Sequence, residues 1–197
     1  MKRFLAGTLL SAVIAVPAFA ALKAGETAPD FSAKASLAGK EFTFSLKDAL
    51  KKGPVVVYFY PSAFTGGCNL EAHTFAENKD KFDAAGASII GVSRDSIARL
   101  NAFSADPQYC AGKISVASDP DGAIAASYNL TKMALKPGIK DSRGVEIDHD
   151  FTERTTFVVA PDGKILATLS SAEDKITPAD HVTKSLDVVQ QYAAKKH

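Results

Sequence analysis

The chain has 197 residues, 46% of them hydrophobic, with 23 Lys and Arg against 22 Asp and Glu. That length suits one compact domain with a core of its own, unaided by metals or several disulfides. The near balance of charge gives no reason to expect nucleic acid or a membrane surface as partner, and past the N-terminus no stretch is apolar enough to cross a bilayer.

The first element is a leader. Lys2 and Arg3 precede an apolar run from Phe4 to Val16, and Pro17-Ala18-Phe19-Ala20 ends in an A-x-A cleavage pattern. A bacterial secretory signal is built this way; the alternative, a membrane anchor, needs about 20 apolar residues. The expectation is a signal peptide over residues 1–20 and one domain over residues 21–197, exported to the bacterial periplasm. Those 177 residues hold 21 basic and 22 acidic side chains.

Glu41–Leu46 reads as a small strand or hairpin. Val55 to Tyr60 is a continuous β-branched and aromatic run between Gly53-Pro54 and Pro61, the mark of a buried central strand. A helical pattern follows from Cys68 to Ala84, then a second buried strand from Ser88 to Val92. Asp95-Ser96 offers an N-cap for a helix through Ser104. Ile114-Ser115-Val116 is a short strand, and Asp119-Pro120-Asp121-Gly122 turns into a helix near Ala123–Tyr128. Thr155–Ala160 and Lys164–Leu169 alternate around Pro161-Asp162-Gly163 as a hairpin. Pro178 starts a last helix with Val182, Leu186 and Val189 on one face. Crossover helices imply parallel strands and the hairpin adds an antiparallel pair. The fold class is therefore α/β: a central mixed sheet with helices on both faces, for which the thioredoxin fold is the natural candidate.

The chemistry points to Tyr60–Glu71. A buried strand ends, a short loop with Gly66 and Gly67 follows, and Cys68 stands at a helix start. Unpaired N–H groups and the positive end of the dipole favour a thiolate there, and the thiolate is the nucleophile. The two glycines allow backbone N–H groups to approach a small substrate. Thr65 is in reach to cap the helix or to donate to a bound substrate. A structural cysteine is the plain alternative. So is a stabilising bridge between Cys68 and Cys110, closing 42 residues and worth roughly 4 kcal/mol.

Pro61, Thr65, Cys68 and Glu71 resemble the peroxiredoxin signature P-x-x-x-T-x-x-C followed three residues later by Glu, with Phe64 also typical. Glu153 to Gly163 is similar to the late strand on which that family carries an arginine, here Arg154. The likeness runs from Ala28-Pro29-Asp30-Phe31 to the hairpin. It implies a thiol peroxidase with a hydroperoxide substrate and neither metal nor organic cofactor. Cys68 attacks the peroxide and becomes a sulfenic acid. Arg154 stabilises the thiolate and the leaving oxygen, Thr65 and the Cys68 N–H hold the peroxide oxygens, and Pro61 packs over the sulfur. Gly67 and Glu71 complete the substrate-binding set.

Asp106-Pro107-Gln108-Tyr109-Cys110 resembles the Q-type, or bacterioferritin comigratory, peroxiredoxins with a resolving cysteine on the third helix. Other members carry it five residues after the attacking cysteine, where this chain has His73. The resemblance implies a Cys68–Cys110 disulfide on oxidation, formed through local unwinding, a thioredoxin-like or other thiol reductant, and a monomer or weak dimer. Two other functions compete. A thiol–disulfide oxidoreductase wants C-x-x-C, and position 71 is Glu. A copper-binding domain wants a second nearby cysteine and a histidine. His73 is expected at the surface, and His149, between Asp148 and Asp150, in a solvated loop rather than a metal site. His181 and His197 lack partners at metal-ligand spacing. The basic stretch Lys132–Arg143 is expected as a solvated loop.

Overall fold

The computed structural model describes residues 20–195. The leader expected over residues 1–20 lies outside it but for Ala20, and His197 lies outside it altogether.

Continuous apolarity makes the middle of the sheet. β3 (Val55–Phe59) is wholly buried, and it pairs in parallel with β4 (Ser88–Ser93), which pairs in parallel with β5 (Ser115–Ser118). On the other side of β3 the late hairpin, β8 (Thr155–Val159) and β9 (Ile165–Ser170), runs antiparallel, with Phe59 opposite Thr155. The sequence showed only half of the opposite edge. β1 (Ser32–Leu37) and β2 (Lys40–Ser45) form a hairpin, and β1 pairs antiparallel with β5. The seven-stranded order is β2-β1-β5-β4-β3-β8-β9. β1 escaped notice because Ser32-Ala33-Lys34-Ala35-Ser36-Leu37 has little β-branched or aromatic content.

Alternation along β3 divides the core. Val56, Tyr58 and Tyr60 face the layer of α2 (Gly66–Ala84), α3 (Ile97–Ala105) and α6 (Pro178–Ala194). Val55, Val57 and Phe59 face α1 (Leu46–Leu50) and α4 (Ala123–Ser127), with Phe31 and Tyr128. Helices thus cover both faces, the thioredoxin-like arrangement expected. The remaining elements are a two-stranded ribbon, β6 (Lys132–Met133) with β7 (Phe151–Thr152), and the short α5 (Ser171–Asp174).

Caps set two of the helices that matter for the site. Ser96 accepts the Arg99 N–H at 3.3 Å and starts α3. Thr177 and Asp180 form a reciprocal capping box ahead of α6, with Pro178 in its first turn. α2 and α6 lie side by side and point the same way. Pro178 sits by Gly67 at their starts, and Gln190 and Ala193 sit by Lys81 and Ala84 at their ends. α3 stops at Ala105 because Asp106 takes the extended conformation that a following proline imposes (φ −64°, ψ 121°). Cys110 therefore lies in the turns just after the third helix, as its place beyond Ser104 in the sequence implied.

Candidate active site

β3 delivers the chain to the site. The Tyr60 N–H donates to the Val92 carbonyl at 3.1 Å, and the half-buried Pro61, lacking an N–H, ends the pairing. Phe64 then adopts a left-handed conformation (φ 63°), which costs a non-glycine residue about 1–3 kcal/mol. The surroundings hold it there: the Ser142 N–H donates to the Phe64 carbonyl at 2.9 Å, and the ring lies between Phe103 and the Arg143 guanidinium. α2 begins at Gly66, two residues earlier than its apolar pattern suggests, and places Cys68 in its first turn, 2% exposed.

Thr65 stands at the N-cap position but does not cap. Its hydroxyl donates to the Ser62 carbonyl at 2.8 Å. With its hydrogen committed, Oγ1 is left with lone pairs to offer as an acceptor.

Arg154 arrives from the other chain direction. Because β8 runs antiparallel to β3 with Thr155 opposite Phe59, the preceding residue falls beside the end of β3, at the start of α2. Its Nη2 donates to the Cys68 Sγ at 3.2 Å and its Nη1 to Glu71 Oε2. Burial works against the charge of Arg154, but Glu71 and Cys68 outweigh it and raise its pKa. Glu71 is fully buried, and burial pushes its carboxyl up to about 7 against the pull of Arg154.

Two residues of the expected substrate-binding set lie against Arg154. Glu71, three residues on from Cys68, shares its inward helix face and holds the arginine; it has no exposed surface with which to bind substrate. The space beside Gly67 admits Arg154: a Cβ there would lie 3.2 Å from Arg154 Nη2 and 3.4 Å from Pro178 Cγ.

Both cysteines are free and buried, in one core cluster with Tyr58, Tyr60 and Phe103. Cys110 is fully buried, and burial, with Asp106 adding to it, raises its thiol pKa well above the ordinary value.

Three histidines resolve differently. His73 is at the surface, 3.3 Å from Glu77. His149 is not in a solvated loop: its side chain is 10% exposed and its Nε2 lies 2.9 Å from Oδ1 of the buried Asp95. His181, which has no role in the sequence pattern, is fully buried, hydrogen-bonded to Thr156 Oγ1 (3.0 Å) and Ser171 Oγ (2.8 Å). Burial and the nearby Arg154 lower its pKa to about 4, so it stays neutral and leaves the arginine as the positive group. The Ser171 N–H in turn donates to the Arg154 carbonyl at 3.1 Å.

The stretch 132–143 is exposed over most of its length, as expected, and is anchored at the buried Asp141. Asp141 accepts from Arg99 at 2.8 Å and from Arg143 at 2.9 Å, and Arg143 covers Phe64. The residue that sequence reasoning missed is Asp95, seen there only as part of a cap. It is fully buried and accepts from Ser62 Oγ (2.9 Å), the Ala63 N–H (2.7 Å) and Ser93 Oγ (2.7 Å). No spacing in the sequence signals this; it arises where β4 meets the loop after β3.

With the geometry in place, the likenesses to known proteins are informative. The model of the AhpC/TSA family matches residues 24–168. Peroxiredoxin Bcp of Xanthomonas campestris is 32% identical over 139 residues, 71% of this chain and 78% of that protein. The crystal structure of peroxidoxin BcpB from Mycobacterium tuberculosis superposes with a TM-score of 0.70 at 29% identity, over 86% of this chain and 97% of that one. Peroxiredoxin Q of Xanthomonas campestris gives 0.62 at 28% identity, over 81% and 90%.

Proposed function

The chain belongs to the AhpC/TSA family and is a peroxiredoxin, a thiol peroxidase close to the Bcp and Q group; from that premise we propose that Cys68 is the peroxide-attacking residue and Cys110 the resolving one. The observation that carries the reading is the 3.2 Å approach of Arg154 Nη2 to the Cys68 Sγ at a helix start. A guanidinium and a helix N-terminus both favour the thiolate that attacks.

The reaction divides into two steps. The Cys68 thiolate attacks the terminal oxygen of a hydroperoxide and the O–O bond breaks; the attacked oxygen keeps its hydrogen, giving a sulfenic acid, and the alkoxide or hydroxide leaves and takes a proton from solvent. Arg154 faces the charge developing on the leaving oxygen, and preorganised donors of that kind are the usual large term in catalysis. Thr65 Oγ1 accepts the peroxide hydrogen, the Cys68 N–H holds the attacked oxygen, and Pro61 shields the sulfur. Glu71 fixes the guanidinium and Gly67 leaves room for it. In the second step the Cys110 thiol attacks the sulfenic sulfur, water leaves, and a disulfide forms. A disulfide needs Cα atoms about 4.4–6.8 Å apart and the thiolate of a buried thiol, so local opening around both cysteines precedes it. A thioredoxin-like or other thiol then reduces the bridge. The leader of residues 1–20 carries the domain of residues 21–197 to the bacterial periplasm, where it works as a monomer or weak dimer.

The test is peroxide consumption by wild type, Cys68→Ser and Cys110→Ser with dithiothreitol and with a thioredoxin. Cys68→Ser is expected to be inactive, and Cys110→Ser to turn over only with the small thiol. Wild-type behaviour of Cys110→Ser with every reductant removes Cys110 from the mechanism, and activity in Cys68→Ser removes Cys68.

A further inference from the structure

Asp95 gathers groups from three segments near the two cysteines. From the loop before Cys68 it accepts the Ser62 hydroxyl and the Ala63 N–H. From α3, which leads to Cys110, Arg99 Nε stands 2.8 Å away. From the segment before β7, His149 Nε2 stands at 2.9 Å. Arg99 reaches back as well, donating to the Ala63 carbonyl at 2.9 Å and to Asp141. The charges alternate in one chain: His149, Asp95, Arg99, Asp141, Arg143.

The neighbours of its two ring nitrogens favour a charged His149, with the Ser62 hydroxyl also 3.5 Å from Nε2. Its Nε2 faces a carboxylate and its Nδ1 faces the Asp150 carbonyl at 2.9 Å. Both partners are acceptors, and only an imidazolium has two N–H groups to give. A neutral ring either turns the Nε2 lone pair toward the Asp95 carboxylate, which Ser62 and Arg99 still face, or leaves the Asp150 carbonyl without the Nδ1–H.

The chain of bonds also runs to the substrate. Asp95 holds the Ser62 hydroxyl, the Ser62 carbonyl holds the Thr65 hydroxyl, and Thr65 is the group assigned above to the peroxide hydrogen.

We propose that Asp95 is the positioning residue of the peroxide-binding loop, and that the charge on His149 keeps this loop and α3 closed. The proposal rests on the roles assigned to Thr65, Cys68 and Cys110. While His149 is charged, the loop is held for attack on peroxide. When it is neutral, the loop opens more often and the disulfide forms faster.

The direction with pH follows. Burial disfavours the imidazolium, but hydrogen bonds to Asp95 and the Asp150 carbonyl outweigh it, so the pKa of His149 lies above its ordinary value. The clamp is therefore complete below the ordinary histidine pKa and weakens as pH rises through the higher folded one. Other charged groups face the same ring. Asp148 favours its charge, and Arg94, Lys136, Glu146 and Asp150 line the cavity of about 470 Å³ beside it. Asp95 is held below the usual carboxylate range, the His149 and Ala63 bonds outweighing its burial, so it stays charged throughout.

The test is hydrogen exchange in the reduced protein at residues 62–69 and 99–110, from pH 5.5 to 8.5, corrected for intrinsic rates. Wild type is expected to lose protection roughly 10- to 150-fold across the titration, the worth of one hydrogen bond to a charged group. His149→Gln is expected to be open at low pH and flat. Relative to wild type at low pH, that variant should oxidise Cys68 more slowly and form the disulfide faster. General damage to the fold would not divide the two steps in this way. Unchanged wild-type protection over the range, or the same pH dependence in His149→Gln, overturns the proposal. Exchange is read without peroxide, so failure of the Cys68 and Cys110 roles shows separately, in the serine variants.

Discussion

Replacing Arg154 with methionine removes the cation at the site while keeping much of the side chain's bulk. At 3.2 Å from the sulfur, a full pair of unit charges at an effective dielectric of about 20 would be worth about 5 kcal/mol. Desolvation on both sides takes back much of that, and hydrogen bonds to charged groups contribute about 1.5–3 kcal/mol net. The lower range governs here, so the second-order rate of Cys68 oxidation should fall about 10- to 150-fold. Glu71 loses its counter-ion in the same variant, and a buried carboxylate without one takes up a proton or destabilises the fold. Arg154→Met/Glu71→Gln should therefore recover thermal stability relative to Arg154→Met but not its oxidation rate. Stopped-flow oxidation with hydrogen peroxide and thermal unfolding measure the two quantities. A rate within threefold of wild type in Arg154→Met, with Cys68→Ser inactive, would refute the role given to the guanidinium.

Gly67→Ala should separate stability from activity: the added Cβ, 3.2 Å from Arg154 Nη2, shifts the guanidinium by a few tenths of an ångström without parting it from Glu71 and lowers peroxide turnover, while alanine in the helix leaves stability unchanged or raises it by up to about 1 kcal/mol, as thermal unfolding would show. His181 titrates near 4 in the folded chain and near 6.5 when unfolded, so the unfolded state binds the extra proton between those values. Stability should fall by about 3 kcal/mol as pH drops from 6.5 to 4, and urea midpoints of His181→Gln should lack that component. Phe103→Ala removes a ring packed on Tyr60, Phe64 and Tyr109; chemical denaturation should show a loss of about 3–5 kcal/mol.

Elements with strong local signals were legible: the apolar run of β3, the turn residues of the late hairpin, the cap of α3 and the helical face of α6. The meeting of Cys68 and Arg154 was legible because a short signature and its partner strand point to both. What stayed hidden depends on contacts between distant segments. Glu71 looked like part of a substrate surface until the register of β8 brought Arg154 over it. His149 lies between two acidic neighbours in sequence and so looked solvated, yet its partner is Asp95, 54 residues away. A weakly β-forming stretch became β1 because the β5 edge was available to pair with it.

The parallel course of α2 and α6 gives the molecule two poles. The sulfur lies at one, where Pro178 meets Gly67, and the described chain runs out at the other, past Ala193 beside Ala84. A linker, fluorescent partner or solid support attached after the last helix would leave the mouth facing outward, whereas an attachment ahead of Pro178 would crowd it. Immobilised layers built through that far end should keep their peroxide access, a useful handle for a biosensor.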